Sequence, residues 1–136
     1  MRYLAIDYGN KSTGLAICDA DETIASPLAV LEGREALAER IAEVVRTEGV
    51  DAIVLGLPLN MDDSEGGQAK LVRQFAETLM AQTDVPLHYQ DERLSSFGAE
   101  EKLRMTGMTR KKQAKRVDAI AAAEILTAFL ERKKGQ

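Results

Sequence analysis

The sequence predicts an α/β fold: a mixed five-stranded sheet in the order 3-2-1-4-5, flanked by helices on both faces. Three observations carry this. Apolar runs of strand length crowd the start of the chain, with only turn formers between them. Beyond Arg34, helical periodicity alternates with short apolar runs, as in parallel strands joined by crossover helices. The length, 136 residues, suits a single domain, 1–136, with a core that needs no disulfide or structural metal.

The elements follow in order. Arg2–Asp7 (RYLAID) and Thr13–Cys18 (TGLAIC) read as strands. The turn formers of Tyr8–Ser12 make them a hairpin. Ile24–Leu31 is a third strand, and Pro27 early in it suits a sheet edge or a strand's first residue. Arg34–Glu48 is helical, because Leu37, Ile41, Val44 and Val45 share one face and Gly49 is placed to stop it. Ala52–Leu57 is a short, fully buried strand of parallel type. Ser64–Thr83 is a helix with Leu71, Phe75 and Leu79 on one face, and Val85–Gln90 is the fifth strand. A short helix over Phe97–Met105, a loop over Gly107–Lys112 and a last helix from about Gln113 to Arg132 complete the chain. A three-strand meander followed by right-handed crossovers makes strands one, four and five parallel. Their C-terminal ends then share one edge.

Composition narrows the class. The apolar fraction of 45% and charged fraction of 29% are those of a soluble globular protein. A single cysteine, Cys18, excludes an internal disulfide and a multi-cysteine zinc site, and its apolar surroundings predict a buried, reduced thiol. The first residues do not form a signal peptide, and no apolar stretch approaches the roughly 20 residues of a membrane span. A cytoplasmic location with no membrane contact is expected. The net charge of -4 hides a segregation. Met1–Glu101 holds 8 basic and 19 acidic residues, whereas Lys102–Gln136 holds 10 basic and 3 acidic. Lys102, Arg104, Arg110, Lys111, Lys112, Lys115 and Arg116 precede the first acid of that segment, Asp118. Such a block is either a polyanion contact or a solvated helix start.

In sheets of this kind ligands bind beyond the carboxyl ends of the parallel strands. Asp7 ends strand one, GLPLN follows strand four, and DER (Asp91–Arg93) ends strand five. Asp118, in KRVDAIAAAEIL, shares a helical stripe with Ala121, Ala122, Ile125 and Phe129, so it faces the sheet, where an unpaired charge is costly. The small residues Ala119, Ala121, Ala122 and Ala123 let that helix lie close to its neighbours. Taken alone, Asp118 reads as an acid favoured by the helix dipole and bridged to an arginine; its company with Asp7 and Glu92 is what argues for a site. Carboxylates forced together raise one another's pKa, and a hard divalent cation, magnesium or manganese, resolves the conflict. Two such ions about 3.5–4 Å apart can activate water and stabilise the leaving oxygen of a phosphodiester. Strand five lies two strands from strand one, about 10 Å away, so the turn after it must curl back over strand four. Asp91 and Glu92 are adjacent, only one is expected to point inward, and Glu92 has the longer reach. His88, the lone histidine, is read as a surface residue without a role.

The segments DYGNKSTGLA, VLGLPLNMDDSE, DERLSS and VDAIAAAEIL occur in order across essentially the whole chain. Together they resemble the YqgF/RuvX family of small bacterial nuclease-like proteins. The resemblance implies a ribonuclease H-like fold, shared with the RuvC Holliday-junction resolvases. It implies that Asp7, Glu92 and Asp118 are the catalytic, metal-binding acids, and it supports Glu92 over Asp91. Gly9 and Gly14 match the glycines of the first motif and would leave space near the metal. Lys11 matches a usually basic position suited to a phosphate. The family is associated with maturation of the small-subunit ribosomal RNA precursor and has also been described as a candidate Holliday-junction resolvase. Two positions depart: Asp63 stands where a glycine commonly follows NMD, and Ser96 where threonine is commonest. Asp63 adds negative charge and bears on the backbone conformation of that loop.

Several readings follow from these residues. The leading one is a metal-dependent endonuclease acting on structured RNA, most of all 5′-end processing of the 16S rRNA precursor. Arg110, Lys111, Lys112, Lys115 and Arg116, with Lys11 and Arg93, would contact phosphates and supply affinity rather than sequence readout. Arg93 could instead pair with Asp91 or Asp118, and Asn60 could touch a phosphate or cap a turn. A second reading applies the same chemistry to four-way DNA junctions, which resolvases cut as symmetric dimers. Nothing in the sequence decides between monomer and homodimer. A sugar-kinase-like ATPase shares the D-x-G turn but needs two such domains. A non-catalytic RNA-binding module would not need all three carboxylates.

Overall fold

A computed structural model of the chain describes residues 1–92 and 110–135, with side chains in the last helix from residue 117 onward. The elements are β1 (Tyr3–Asp7), β2 (Ser12–Cys18), β3 (Ala25–Glu32), α1 (Leu37–Thr47), β4 (Ala52–Leu57), α2 (Gly67–Met80), β5 (Leu87–Asp91) and α3 (Arg110–Lys134). The strands form one sheet in the expected order, β3-β2-β1-β4-β5. β1–β2 and β2–β3 are antiparallel, while β1–β4 and β4–β5 are parallel. Asp7, Leu57 and Asp91 therefore end their strands at the same edge.

Strand alternation sorts the apolar residues into two layers. Leu4, Ile6, Leu15, Ile17, Ile53, Leu55 and Leu57 pack against Leu37, Ile41 and Val45 of α1 and Val72, Phe75 and Leu79 of α2. Tyr3, Ala5, Ala16, Cys18, Ala52 and Val54 pack against Ala122, Ile125, Leu126 and Phe129 of α3. β4 is buried along its whole length, which explains its unbroken apolar sequence. Pro27 sits on the edge strand β3 opposite Ala16, next to a register shift between Leu15 and Ala16. A residue without an N–H is tolerated where no further strand needs one.

The structure departs from the expected elements in several places, among them α2, which spans Gly67–Met80 rather than Ser64–Thr83, and β5, which spans Leu87–Asp91 rather than Val85–Gln90. α1 begins at Leu37 rather than Arg34, preceded by Ala36 in a left-handed conformation (φ 52°). In α2 the buried face includes Val72, and Leu71 is exposed. Steps of four residues drift by about 40° each on a helix of 3.6 residues per turn, so Leu71, Phe75 and Leu79 do not all stay on one stripe. α3 begins at Arg110, so Arg110–Lys112 are helical rather than loop. No glycine or proline lies between Arg110 and Asp118, and Arg, Lys, Gln and Ala are good helix formers. Arg93, Ser96, the helix expected over Phe97–Met105 and the first part of the loop expected from Gly107 lie outside the described residues. So do the side chains of Arg110, Lys111, Lys112, Lys115 and Arg116.

Cys18 is buried and unbridged, its sulfur accepting the Tyr3 N–H at 3.2 Å. His88 is exposed. Among the described residues no helix is long and apolar enough to cross a membrane.

Candidate active site

The two-residue period of the strands decides which groups meet. Asp7 lies two residues beyond Ala5, Gly14 two before Ala16, and Gly56 two beyond Val54, so all three belong to the α3 face. Glu92 joins them from β5. Its backbone N–H donates to the Leu57 carbonyl at 3.4 Å, which keeps the chain against β4 one residue past the strand. Its side chain then crosses β4 above Gly56. A Cβ on Gly56 would stand 2.4 Å from Glu92 Oε2 and 2.7 Å from Ile125 Cδ1. The missing side chain at residue 56 is thus the gap through which Glu92 reaches Asp7, with which it forms a hydrogen bond. This closes the two-strand distance between the ends of β5 and β1, and it selects Glu92 rather than Asp91 as the inward acid.

The pair is held in an unusual charge state. Burial pushes Asp7 up to about 6; the hydrogen bond from Glu92 works against that, and the charge of Asp118 adds to it. Burial pushes Glu92 up to about 8, reinforced by the charge of Asp7, by the hydrogen bond between them and by the charge of Asp91. Glu92 therefore keeps its proton longest and donates it to Asp7.

Asp118 approaches from α3. Its carboxylate accepts a hydrogen bond from the Ser12 hydroxyl, at the first residue of β2. The helix backbone is seated on Gly14: a Cβ there would fall 1.9 Å from the Asp118 carbonyl oxygen and 2.7 Å from the Ala119 nitrogen. Gly9 has a related role inside the turn, since a Cβ there would stand 2.3 Å from the Ser12 carbonyl oxygen. The two glycines thus clear space for backbone, Gly14 for α3 and Gly9 for its own turn. Lys11 is exposed in the same turn, immediately before β2.

The three expected acids are therefore brought to one region, with Asp7 at its centre. Asp7 and Glu92 touch, and Asp118 acts on Asp7 through its charge while its carboxylate turns to Ser12. Among the described residues no group of three or more His, Cys, Asp or Glu side chains is set to hold a metal ion. The donor chemistry nonetheless fits a hard divalent cation. All three side chains offer oxygen, and two are pushed up by burial and neighbouring negative charge, a conflict that a cation relieves.

Two residues of this site were not anticipated from sequence. Gly56 carried a signal, because a glycine inside a buried strand marks a close approach. Ser12 carried none, since its partner lies 106 residues away. After β4, Asn60 closes a turn. Its N–H donates to the Ser64 carbonyl at 2.8 Å, and its side-chain amide donates to Ser64 Oγ at 3.0 Å. Asp63 in that turn has φ 70°, the left-handed region that favours glycine.

The whole chain has known counterparts. Residues 1–132 match the model of the RuvX family, described as Holliday junction resolvase. A protein of Maridesulfovibrio salexigens named "Putative pre-16S rRNA nuclease" is 41% identical over 134 residues, 97% of this chain and 99% of the relative. One of the same name from Anaeromyxobacter sp. is 47% identical over 133 residues, covering 96% and 97%. Among solved structures, Thermus thermophilus RuvC in complex with Holliday junction substrate superposes with a TM-score of 0.62 at 16% identity, covering 99% and 97% of the two chains. Fowlpox virus resolvase in complex with Holliday junction DNA also gives 0.62, at 12% identity, covering 98% and 99%. At such identities these two structures speak to the fold, which is the ribonuclease H-like one. With the family model matched over nearly its full length and relatives above 40% identity spanning almost all of it, the chain belongs to the RuvX family.

Proposed function

We propose that this protein is a metal-dependent endonuclease that hydrolyses phosphodiester bonds in structured nucleic acid, with the 5′-end of the 16S rRNA precursor as its substrate in ribosome biogenesis. The observation that carries the reading is the hydrogen bond from Glu92 to Asp7 across Gly56, made at the carboxyl edge of the sheet with Asp118 brought in by α3. A fold alone has no use for acids buried against each other, since each raises the cost of ionising its neighbour. The names of the relatives direct this chemistry to the rRNA precursor.

Asp7, Glu92 and Asp118 would hold magnesium or manganese, two ions in the reading favoured here. Bound there, the metal supplies an acidified water and charge compensation for the leaving oxygen. The remaining work falls to the chain. Glu92 gives up the proton it shares with Asp7 before the pair can act as ligands. Ser12 orients Asp118. Lys11, Arg93 and the basic run Arg110, Lys111, Lys112, Lys115 and Arg116 bind phosphates and place the strand. The compartment in this reading is the cytoplasm.

Purified protein is given a 16S rRNA precursor and a four-way DNA junction, each with magnesium or manganese. We expect divalent-dependent cleavage of the precursor, reduced at least ~1000-fold in Asp7→Asn, a rise of about 4 kcal/mol in the barrier. Equal cleavage by Asp7→Asn would sink the mechanism. The description of the family model favours one second reading, resolution of DNA junctions. Preferential cutting of the junction by a dimer would establish it in place of the first.

A further inference from the structure

We propose that Arg34 is a further nucleic-acid-binding residue, one that holds the substrate's phosphate backbone at the turn following Asp7, across the sheet edge from α3. The proposal rests on the nuclease reading above.

Arg34 follows β3 and α1 begins three residues after it, yet it is folded back onto the β1–β2 turn. The Gly33 N–H donates to the Lys11 carbonyl at 2.9 Å, and Gly33 takes φ +75°, which a side chain would resist. Arg34 Nη2 donates to Asn10 Oδ1 at 2.8 Å. Its guanidinium carbon lies 5.1 Å from the centroid of the Tyr8 ring. Tyr8 is itself stacked on the buried Phe75 of α2, with ring centroids 4.5 Å apart and 19° between planes. The cation thus rests on a ring anchored in the core, one residue after Asp7 in sequence.

Charge makes the placement informative. The first 101 residues are strongly acidic, and other arginines described in that part are spent on nearby acceptors. Arg2 pairs with Glu48, Arg46 with Glu43 and Arg73 with Glu65, while Arg40 donates to the carbonyls of Glu32 and Glu35. Arg34 is exposed and, among the described residues, makes no ion pair. With Lys11 it sets two cations around the turn that begins at Asp7. A guanidinium has five N–H donors in a planar fork that matches phosphate, and the Asn10 bond uses only one of them. Tyr8 packs on the α1–α2 side of the sheet and Asp7 faces α3. A strand crossing the edge would therefore meet Arg34 and Lys11 on one flank and α3 on the other, with the acids between.

The alternative is that Arg34 only pins the turn. Binding is measured on the full-length chain carrying Asp7→Asn, so that nothing is cut. Fluorescence anisotropy follows a labelled four-way DNA junction and a labelled structured RNA over a series of KCl concentrations. Arg34→Met keeps the aliphatic stem over Tyr8 and removes the charge, whereas Asn10→Ala removes the tether and keeps the charge. Arg34→Met should weaken binding roughly fivefold and lower the slope of log Kd against log salt by about 0.7–0.9, the value of one phosphate contact. Arg34→Lys and Asn10→Ala should preserve the slope. An unchanged slope in Arg34→Met, or its full effect reproduced by Asn10→Ala, overturns the proposal. If the Asp7→Asn parent binds neither nucleic acid, the nuclease reading falls and this one with it. Binding by the parent that Arg34→Met leaves intact overturns Arg34 alone.

Discussion

The two faces of the sheet are built to different rules. Toward α1 and α2 the strands present Leu4, Ile6, Leu15, Ile53 and Leu55, large side chains that fill a thick layer. Toward α3 small residues recur, Ala5, Gly14, Ala16, Ala52 and Gly56 beside Tyr3, Cys18 and Val54, and α3 answers with Ala119, Ala121, Ala122 and Ala123 beside Ile125, Leu126 and Phe129. The first face supplies most of the bulk aliphatic burial, at about 25 cal/mol per Å² of apolar surface. The second gives up bulk for proximity. A helix backbone in contact with the sheet delivers a short side chain, Asp118, to the end of β1. One fold thus keeps a stabilising face and a chemical face, and substitutions on the two should fail differently.

The largest separation should come from Gly14→Ala set against Leu55→Ala. Leu55→Ala opens a cavity and should cost about 2–5 kcal/mol in urea unfolding. Well below its melting temperature, its rate of cleavage should stay near that of the parent. Gly14→Ala drives a methyl into the α3 backbone and should cost about 3 kcal/mol or more. What folds should be nearly inactive, because Asp118 is pushed away with the helix. A folded Gly14→Ala protein of normal activity would contradict this account of the α3 face.

A smaller effect is expected from pH. Asp7 and Glu92 hold protons in the fold to about 6 and about 8, against ordinary values of 3.8 and 4.5. Folding therefore takes up protons between these limits, and stability falls as pH rises. The penalty is absent below the ordinary values and complete above about 8. Glu92→Gln keeps a donor toward Asp7 without the charge. It should melt roughly 3–6 °C above the parent at pH 8 and close to it at pH 4, while losing activity. Excess magnesium or manganese should raise the parent's melting temperature more at pH 8 than at pH 5. A metal-free melting temperature that does not vary over this range would remove the electrostatic argument.

The smallest effect belongs to neither face. Asp63 holds a left-handed conformation, and Asp63→Gly should relieve it for a gain of about 0.5 kcal/mol, read from the urea midpoint. A loss would show that the contacts of the Asp63 side chain outweigh its backbone cost.

The features legible in the sequence were those written locally. Strand order followed from the spacing of apolar runs, and Asp7 from its place at the end of one. The edge position of β3 followed from the meander, and Pro27 was compatible with it. Asp118 was legible because it interrupts an apolar helical stripe. The choice between Asp91 and Glu92 was hard because LHYQDE has no clean apolar alternation, and it is the contact with Asp7 that turns Glu92 inward. Leu71 falls outside the buried stripe because steps of four residues drift around the helix. The hydrogen bond from Ser12 to Asp118 and the seat of α3 on Gly14 were beyond reach, since each joins residues more than 100 positions apart.

That separation has a consequence for synthesis. Asp7 and Ser12 leave the ribosome early, and Asp118 emerges only after the whole sheet has been made. A nascent chain that ends before α3 can pair its strands but lacks the third acid and the helix that covers the other two. The proposed site is therefore complete only once α3 has been made, and a product truncated ahead of α3 should lack the proposed activity.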